Sequence, residues 1–392
     1  MKVHTLSSGC IYEGDWLEAP LEPGFTLAIL DGPFGLNMAD WDRMKLEELS
    51  AWYAPHIARV TALSAASSSM YVWNTQPGAM RLDPMIRSFG WDHRATITWD
   101  KTIAALAGRI DTAKMRTWPD TTETCLFYQR EELTAPGGPA QFIAYAAGAS
   151  EGNTIRKWLY AERARAGLSV DRLYEAIEEA GGKAEMICRH SFTESQWCLP
   201  TFDQWKALHI AWNRRGRPEG RPYLQRDNSR VYDLASEADH EQLRAEYEQL
   251  RAEYEQLRAE YEQLRAPFSL PTGASNVWTS PLVGGSERLK APNGEALHCA
   301  QKPIEWAERM ILASTRPGEK ILVPFGGTCR EAVFLEHLAR TEPEKARRFD
   351  ACELNQDPGR DYIGAALAQI RGQSTRRQAR GQVSLFGQPP HG

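Results

Sequence analysis

At 392 residues the chain is too long for one small hydrophobic core, and two domains are the natural expectation. A 42% hydrophobic and 25% charged composition, with no apolar run of about eighteen residues, fits a soluble globular protein without a membrane span. The net charge of -5 argues against wholesale polyanion binding, the start MKVHTLSSGC lacks an apolar signal core so that the cytoplasm is the expected compartment, and seven scattered cysteines suggest neither a disulfide framework nor a metal cluster.

In chain order, LAILDGPFG (residues 27–35) comes first. An apolar run ends abruptly in an acid, followed by glycine, proline and an aromatic. This predicts a buried strand with a rigid turn at its carboxyl end, where open parallel sheets bind ligands. A strand with an ordinary surface turn reads the same way in isolation. Next, Leu46, Leu49, Trp52, Tyr53, Ile57 and Val60 recur at helical spacing. SMYVWN, ATITWDK and TCLFYQR then read as strands, so residues 23–130 look like a doubly wound α/β sheet.

Residues 154–182 read as two helices about a GLS turn. Gly167 breaks the first, Ser169 caps the second, and Gly181 and Gly182 stop it. The pattern fits a helix-turn-helix and equally a hairpin in any small helical domain. A further helix starts at Pro200-Thr201, with Trp205 and Leu208 on one face. WNRRGRPEGRPYLQRDNSR follows, a basic stretch able to grip phosphate although the whole chain is acidic. Residues 241–265 are a seven-residue repeat with Tyr247, Tyr254 and Tyr261 alternating with Leu243, Leu250, Leu257 and Leu264 as a and d positions. The helix, roughly 38 Å long, can zip to a partner copy, pack on its own domain or act as a strut; Pro267 ends it.

Residues 300–370 return to α/β. EKILVPFGG is a strand and glycine turn, CREAVFLEHLAR a helix, RFDACELN a strand ending in an acid, and GRDYIGAALAQI a helix. Strand, glycine turn, helix, strand, acid is a nucleotide-binding arrangement: the glycines let a ligand approach the backbone and the acid meets ribose hydroxyls. No Walker lysine-serine pair follows the glycines. The tail from Gln373, rich in Arg, Gln, Gly and Pro, reads as disordered apart from the apolar island QVSLFG.

The acid-bearing turn and the glycine unit together resemble the amino-methylating DNA methyltransferases, which act on N6 of adenine or N4 of cytosine. DGPF (Asp31, Gly32, Pro33, Phe34) matches three of the four positions of that family's catalytic motif, and VPFGGTC stands where its cofactor loop stands. QKPIEWAERMI, TRPGEKIL and IYEGDWLEAP resemble further family segments. The catalytic motif precedes the cofactor loop, with an insert between, as in the circularly permuted subclass called beta. Two departures are Gly32 in place of the motif's first proline, and a loop with Val323 for aspartate and Cys329 for its second glycine.

The resemblance implies a Rossmann-like methyltransferase sheet with an inserted, mainly helical DNA-recognition region. Its parts would be the catalytic part at 1–148, a target-recognition insert at 149–240, the heptad helix at 241–266, the cofactor part at 267–370 and a disordered tail at 371–392. It implies S-adenosylmethionine as cofactor and double-stranded DNA as partner, with no metal required because the methyl group arrives activated. Asp31 and the Gly32 carbonyl would accept hydrogens of the exocyclic amine, localising its lone pair, while Phe34 stacks on the base and Pro33 stiffens the turn. Placement, rather than acid–base strength, does most of this work. Phe325, Gly326 and Gly327 would line the methionine part of the cofactor, Glu353 its ribose, Asp15 its adenine and Lys302 its carboxylate. The base must leave the duplex, with Trp41 a candidate for stacking or gap filling and core packing its plainer role. Arg214, Arg215, Arg217, Arg221 and Arg226 are candidates for phosphate or guanine edges. Glu123 sits where the family often has an acid before a strand; a cap is the plain alternative.

An acid at position 31 favours N6-adenine, since family members with it are mostly adenine enzymes; N4-cytosine is the alternative. A non-catalytic DNA-binding regulator, a dinucleotide oxidoreductase, and methylation of RNA or a small molecule are the competing readings. Homodimerisation through the heptads is open. Residues 382–386, QVSLF, resemble peptides that dock bacterial DNA enzymes on the replication sliding clamp; tucking of Leu385 and Phe386 against the protein's own surface is the plainer reading.

Overall fold

The computed structural model describes residues 1–37, 39–106, 116–131, 154–192, 199–224, 236–285, 287–355 and 360–376. Arg226 and the QVSLF segment lie outside them. The chain forms two compact units, Met1–Glu131 with Arg265–Gly392, and Glu132–Leu264.

The elements run β1 (Lys2–Thr5), β2 (Gly9–Glu13), β3 (Phe25–Leu30), α1 (Leu49–Leu63), β4 (Ser64–Asn74), α2 (Gln76–Ser88), β5 (Asp92–Asp100) and β6 (Thr122–Arg130). The second unit follows with α3 (Thr154–Ala166), α4 (Val170–Glu179), α5 (Ala184–Phe192), α6 (Phe202–Arg215) and α7 (Glu237–Leu264). The first unit resumes with β7 (Val277–Thr279), α8 (Ile304–Ser314), β8 (Lys320–Val323), α9 (Arg330–Thr341), β9 (Arg348–Glu353) and α10 (Tyr362–Arg376).

Among the described residues the sheet has the order β1-β2-β9-β8-β3-β4-β6-β5-β7. Its centre, β2-β9-β8-β3-β4, is parallel, whereas β6 runs antiparallel to both β4 and β5. Successive residues of a strand point to opposite faces, and here both faces are covered. Leu27 and Ile29 join Trp306, Met310, Val333 and Ile363 in one layer, while Ala28 and Leu30 join Tyr53, Ile57, Val60 and Leu82 in the other. Burial on both faces explains why β3 reads as one unbroken apolar run. This is the Rossmann-like, doubly wound α/β fold with an inserted helical region that the sequence indicated.

Some elements escape the sequence patterns. Helix α2 carries Pro77, Gly78 and Pro84, which read as breakers, yet Pro77 occupies a tolerated first-turn position and the Thr75 hydroxyl accepts from the Gly78 N–H at 3.3 Å. Strand β4 begins at Ser64, earlier than its apolar half suggests, because Ser68 and Ser69 are buried within the sheet.

The helical unit has a core of its own. Gly167 (φ 64°) ends α3, and the Ser169 hydroxyl accepts from the Arg172 N–H at 3.3 Å to start α4. Thr201 and Gln204 cap α6 reciprocally. Leu243, Tyr247 and Leu250, the first apolar positions of the heptads, are buried with Leu173, Ile177, Trp205, Leu208 and Trp212, and the Tyr247 hydroxyl donates to the Pro200 carbonyl at 2.8 Å. This part of the heptad seam is therefore used inside the unit. Among the described residues no helix is long and apolar enough to cross a membrane.

Candidate active site

The parallel strands β9, β8 and β3 are neighbours, so their carboxyl ends bring Glu353, the Phe325-Gly326-Gly327 loop and Asp31 to one edge of the sheet. Because β6 is antiparallel, its beginning lies at that same edge: Thr124 pairs with Asn74 at the end of β4. Glu123 thus joins the site from a strand's amino end.

The turn after β3 is held from several sides. Asp42, fully buried, accepts the backbone N–H groups of Phe34 (2.7 Å), Gly35 (2.7 Å) and Leu36 (3.0 Å). The Pro33 carbonyl accepts from the Tyr53 hydroxyl at 3.2 Å and from Asn74 Nδ2 at 3.3 Å. A Cβ on Gly32 would lie 2.7 Å from Tyr53 Oη and 3.0 Å from the Phe325 ring, so a side chain at this position requires one of these rings to shift. Phe34 is buried, and its ring is 5.0 Å from Lys302 Nζ.

A chain of charges runs across the site. Lys302 Nζ donates to Asp31 Oδ1 at 2.9 Å and lies 3.0 Å from Glu123 Oε2; Lys101 Nζ meets the other oxygen, Glu123 Oε1, at 2.6 Å. Burial pushes the Asp31 carboxyl above its ordinary value, against the opposing pull of Lys302. Burial also works against the charges of Lys302 and Glu123. The attraction of Asp31 and Glu123 nevertheless holds Lys302 above the usual lysine value, and Lys302 with Lys101 holds Glu123 below the usual carboxylate value. Glu331, buried in the first turn of α9, is pushed up to about 7, chiefly by burial and further by Asp31.

The loop after β8 turns tightly. Gly326 N–H donates to the Cys352 carbonyl at 2.7 Å, and Gly327 (φ 49°) donates its N–H to Glu353 Oε2 at 2.6 Å. The other Glu353 oxygen accepts from the Asn355 N–H at 3.0 Å. Burial raises the Glu353 carboxyl, and these two N–H groups oppose the rise. Cys329, where the family has a second glycine, starts α9 with φ 49°, a left-handed conformation that favours glycine. The half-buried Phe325 ring packs against Trp16, Trp52, Tyr53 and His56. Burial lowers the His56 imidazole to about 4.

The remaining expected residues are placed as follows. Asp15, exposed just beyond β2, accepts from the Leu17 N–H at 2.9 Å, and its neighbour Gly14 donates to the Glu353 carbonyl. Lys302, assigned to the cofactor's carboxylate by resemblance, has its ammonium on Asp31. Trp41 is about one-third exposed and stacks on His298, ring centroids 5.4 Å apart. In the helical unit, Arg214, Arg215, Arg217 and Arg221 are all exposed. Two of them are already engaged: Arg215 forks onto Glu179 at 2.5–3.0 Å, and Arg221 donates to the carbonyls of Arg214 and Gly216. Tyr53, Asn74, Lys101 and Glu331 carried no sequence signal for the site. Lys101 closes the strand-like run ATITWDK, which hinted only at a strand end.

A glycine loop, a strand-end acid beside it and a third strand ending in an acid-bearing turn define a nucleoside-binding, doubly wound α/β domain. Residues 25–366 match the N6/N4 DNA methylase family, and the chain belongs to it. S-adenosylmethionine is the methyl donor of that family. A 65-residue stretch is 35% identical to the type II methyltransferase M.HinfI of Haemophilus influenzae, spanning 17% of this chain and 18% of that protein. Among solved structures, the M1.HpyAVI–SAM complex aligns over 92% of this chain and 98% of its own with 11% identity and a TM-score of 0.40. The cytosine-N4-specific PvuII DNA methyltransferase aligns over 94% of each chain with 11% identity and a TM-score of 0.42.

Proposed function

We propose that the protein transfers a methyl group from S-adenosylmethionine to the exocyclic N6 of adenine in duplex DNA, with the base turned out of the helix. The observation that carries this reading is Asp31. Its carboxylate stands at a strand end, bonded by Lys302 at 2.9 Å, one residue pair away from the Phe34 ring and on the same sheet edge as the Gly326-Gly327 loop.

The cofactor suits the residues present. The Gly326-Gly327 turn brings backbone close to a ligand, Glu353 offers a carboxylate for ribose hydroxyls, and the Phe325 cluster gives an apolar wall. When bound, the cofactor supplies a methyl carbon on a sulfonium, whose C–S electron pair returns to sulfur as the amine lone pair takes the carbon. An exocyclic amine is a poor nucleophile because its lone pair is delocalised into the ring. Asp31 and the Gly32 carbonyl would accept its two hydrogens and favour a tetrahedral nitrogen, with Phe34 holding the base plane. Asp31 would also take the proton that the methylated amine sheds. Turning out the base costs unstacking energy that protein contacts must offset, and the exposed arginines of the helical unit are suited to gripping phosphate. The acid at position 31 favours adenine over cytosine on family resemblance.

The test is methyl incorporation into unmethylated genomic DNA, digested to nucleosides and analysed by mass. N6-methyladenine from the intact protein, and none from Asp31→Ala with unchanged circular dichroism, is the expected result. N4-methylcytosine would replace the adenine assignment, and full turnover by Asp31→Ala would reject the mechanism.

A further inference from the structure

Lys302 is shared. Its Nζ lies 2.9 Å from Asp31 Oδ1 and 3.0 Å from Glu123 Oε2, between the faces of Phe34 (5.0 Å) and Trp73 (5.4 Å). Asp31 Oδ1 accepts a hydrogen bond from the ammonium, and the buried Glu123 Oε2 pairs with that same ammonium. Burying two carboxylates around one ammonium carries a desolvation cost that an ion pair serving the fold alone has no need to incur. The effect is directional. Glu123 draws the ammonium to one side of Asp31, so that Lys302 takes a single oxygen, Oδ1. Lys101, 2.6 Å from Glu123 Oε1, fixes Glu123 in turn.

We propose that Glu123 is a positioning residue of the methyl-transfer site. By sharing Lys302 with Asp31 and bracing on Lys101, it keeps Asp31 turned so that its second oxygen faces the substrate amine, while its own charge works against that of Asp31. This rests on the reading that Asp31 receives that amine. The titratable groups coupled to Asp31 are Lys302 before α8, Glu123 and Cys125 on β6, Lys101 after β5, Glu331 on α9 and Tyr53 on α1. Two carboxylates and two ammoniums balance in the inner four. Deleting one member therefore moves Asp31 in a direction set by the sign of the lost charge.

The experiment compares the full-length protein with Glu123→Gln, Lys101→Met and Lys302→Met. The readouts are kcat and the KM for S-adenosylmethionine, from transfer of a labelled methyl group to unmethylated DNA across pH. Glu123→Gln is expected to lower kcat by about tenfold to a hundredfold, the scale of a misplaced reacting group, with KM held within about twofold. Its acidic limb should move to lower pH, because a like charge has left the surroundings of Asp31. Lys302→Met should move the limb to higher pH, because the counterion is gone. Lys101→Met should move it the same way by less, and as the more exposed partner it keeps the test alive if Glu123→Gln does not fold. An unshifted limb with near-normal kcat in Glu123→Gln or Lys101→Met overturns the proposal while leaving the methyltransferase reading intact. No incorporation by the intact protein overturns that reading instead.

Discussion

An ideal Cβ on Gly32 would stand 2.7 Å from the hydroxyl oxygen of Tyr53, which itself donates to the Pro33 carbonyl. The departure from the family's proline is thus matched by a tyrosine on α1 that occupies the space and braces the same turn. Gly32→Ala is expected to destabilise by about 1–3 kcal/mol, the usual cost of overfilling a packed site. Tyr53→Phe removes the nearest atom, so the alanine penalty should shrink in that background, although the Phe325 ring keeps some of it. Urea unfolding of the four proteins gives the coupling directly. Strict additivity would show that the two positions do not share this space.

Glu331 makes stability depend on pH in an unusual direction. Its value is raised from 4.5 to about 7 in the folded protein, chiefly by burial. The folded state then binds a proton that the unfolded chain has released, so stability is highest below the unfolded value and falls as pH rises from about 4.5 to about 7. The loss amounts to up to about 3 kcal/mol. Glu331→Gln should be as stable as the parent near pH 4.5 and more stable at pH 8, less a few tenths of a kcal/mol for the helix-start charge. Equal stability of the two proteins at both pH values would mean that the carboxylate is not penalised by its surroundings.

Strand β3 with its acid, the glycine loop after β8 and the acid ending β9 were legible because each is local: an apolar run, a breaker and a charge within ten residues or so. The bond between Lys302 and Asp31 was not, since 271 residues separate them and the KP segment carries no mark of its partner. Glu123 was visible only as an acid before a strand. Its place in the site comes from β6 running against its neighbours, a matter of topology that no short stretch encodes. The match between Gly32 and Tyr53 was hidden for the same reason, as the helix spacing around Tyr53 marks a core face and nothing more.

Cys329 holds a left-handed backbone (φ 49°) at the start of α9 while its thiol is fully buried. The conformation disfavours any side chain, and the burial favours this one. Substituting alanine keeps the strain and loses the sulfur contacts; glycine loses those and the Cβ contacts but relieves the strain. Cys329→Gly should therefore be more stable than Cys329→Ala by about 1 kcal/mol, against the ordinary cost of glycine in a helical setting. Thermal unfolding with saturating S-adenosylmethionine and without it would also show whether the glycine loop binds better. The reverse order of stabilities would remove backbone strain as a factor here.

The heptads bear on how the helical unit is built. Leu243, Tyr247 and Leu250 lie in that unit's core, with Tyr247 bonded to the Pro200 carbonyl, so these apolar positions are covered by α6 and its neighbours. Leu243→Ala is then expected to cost about 2–5 kcal/mol as a buried cavity. That cost should not depend on protein concentration, because it is incurred within one chain. A zipper between copies predicts otherwise: the melting temperature would rise with concentration, and the variant would shift the sedimentation equilibrium toward monomer. Measuring both quantities over a hundredfold range of concentration, of about micromolar and above, separates the cases. A concentration-dependent loss in Leu243→Ala would return the amino-terminal half of the helix to an interchain role. A constant loss fixes it as a structural member of its own unit, and the residues beyond Leu250 would then be the part of the helix to test for a partner.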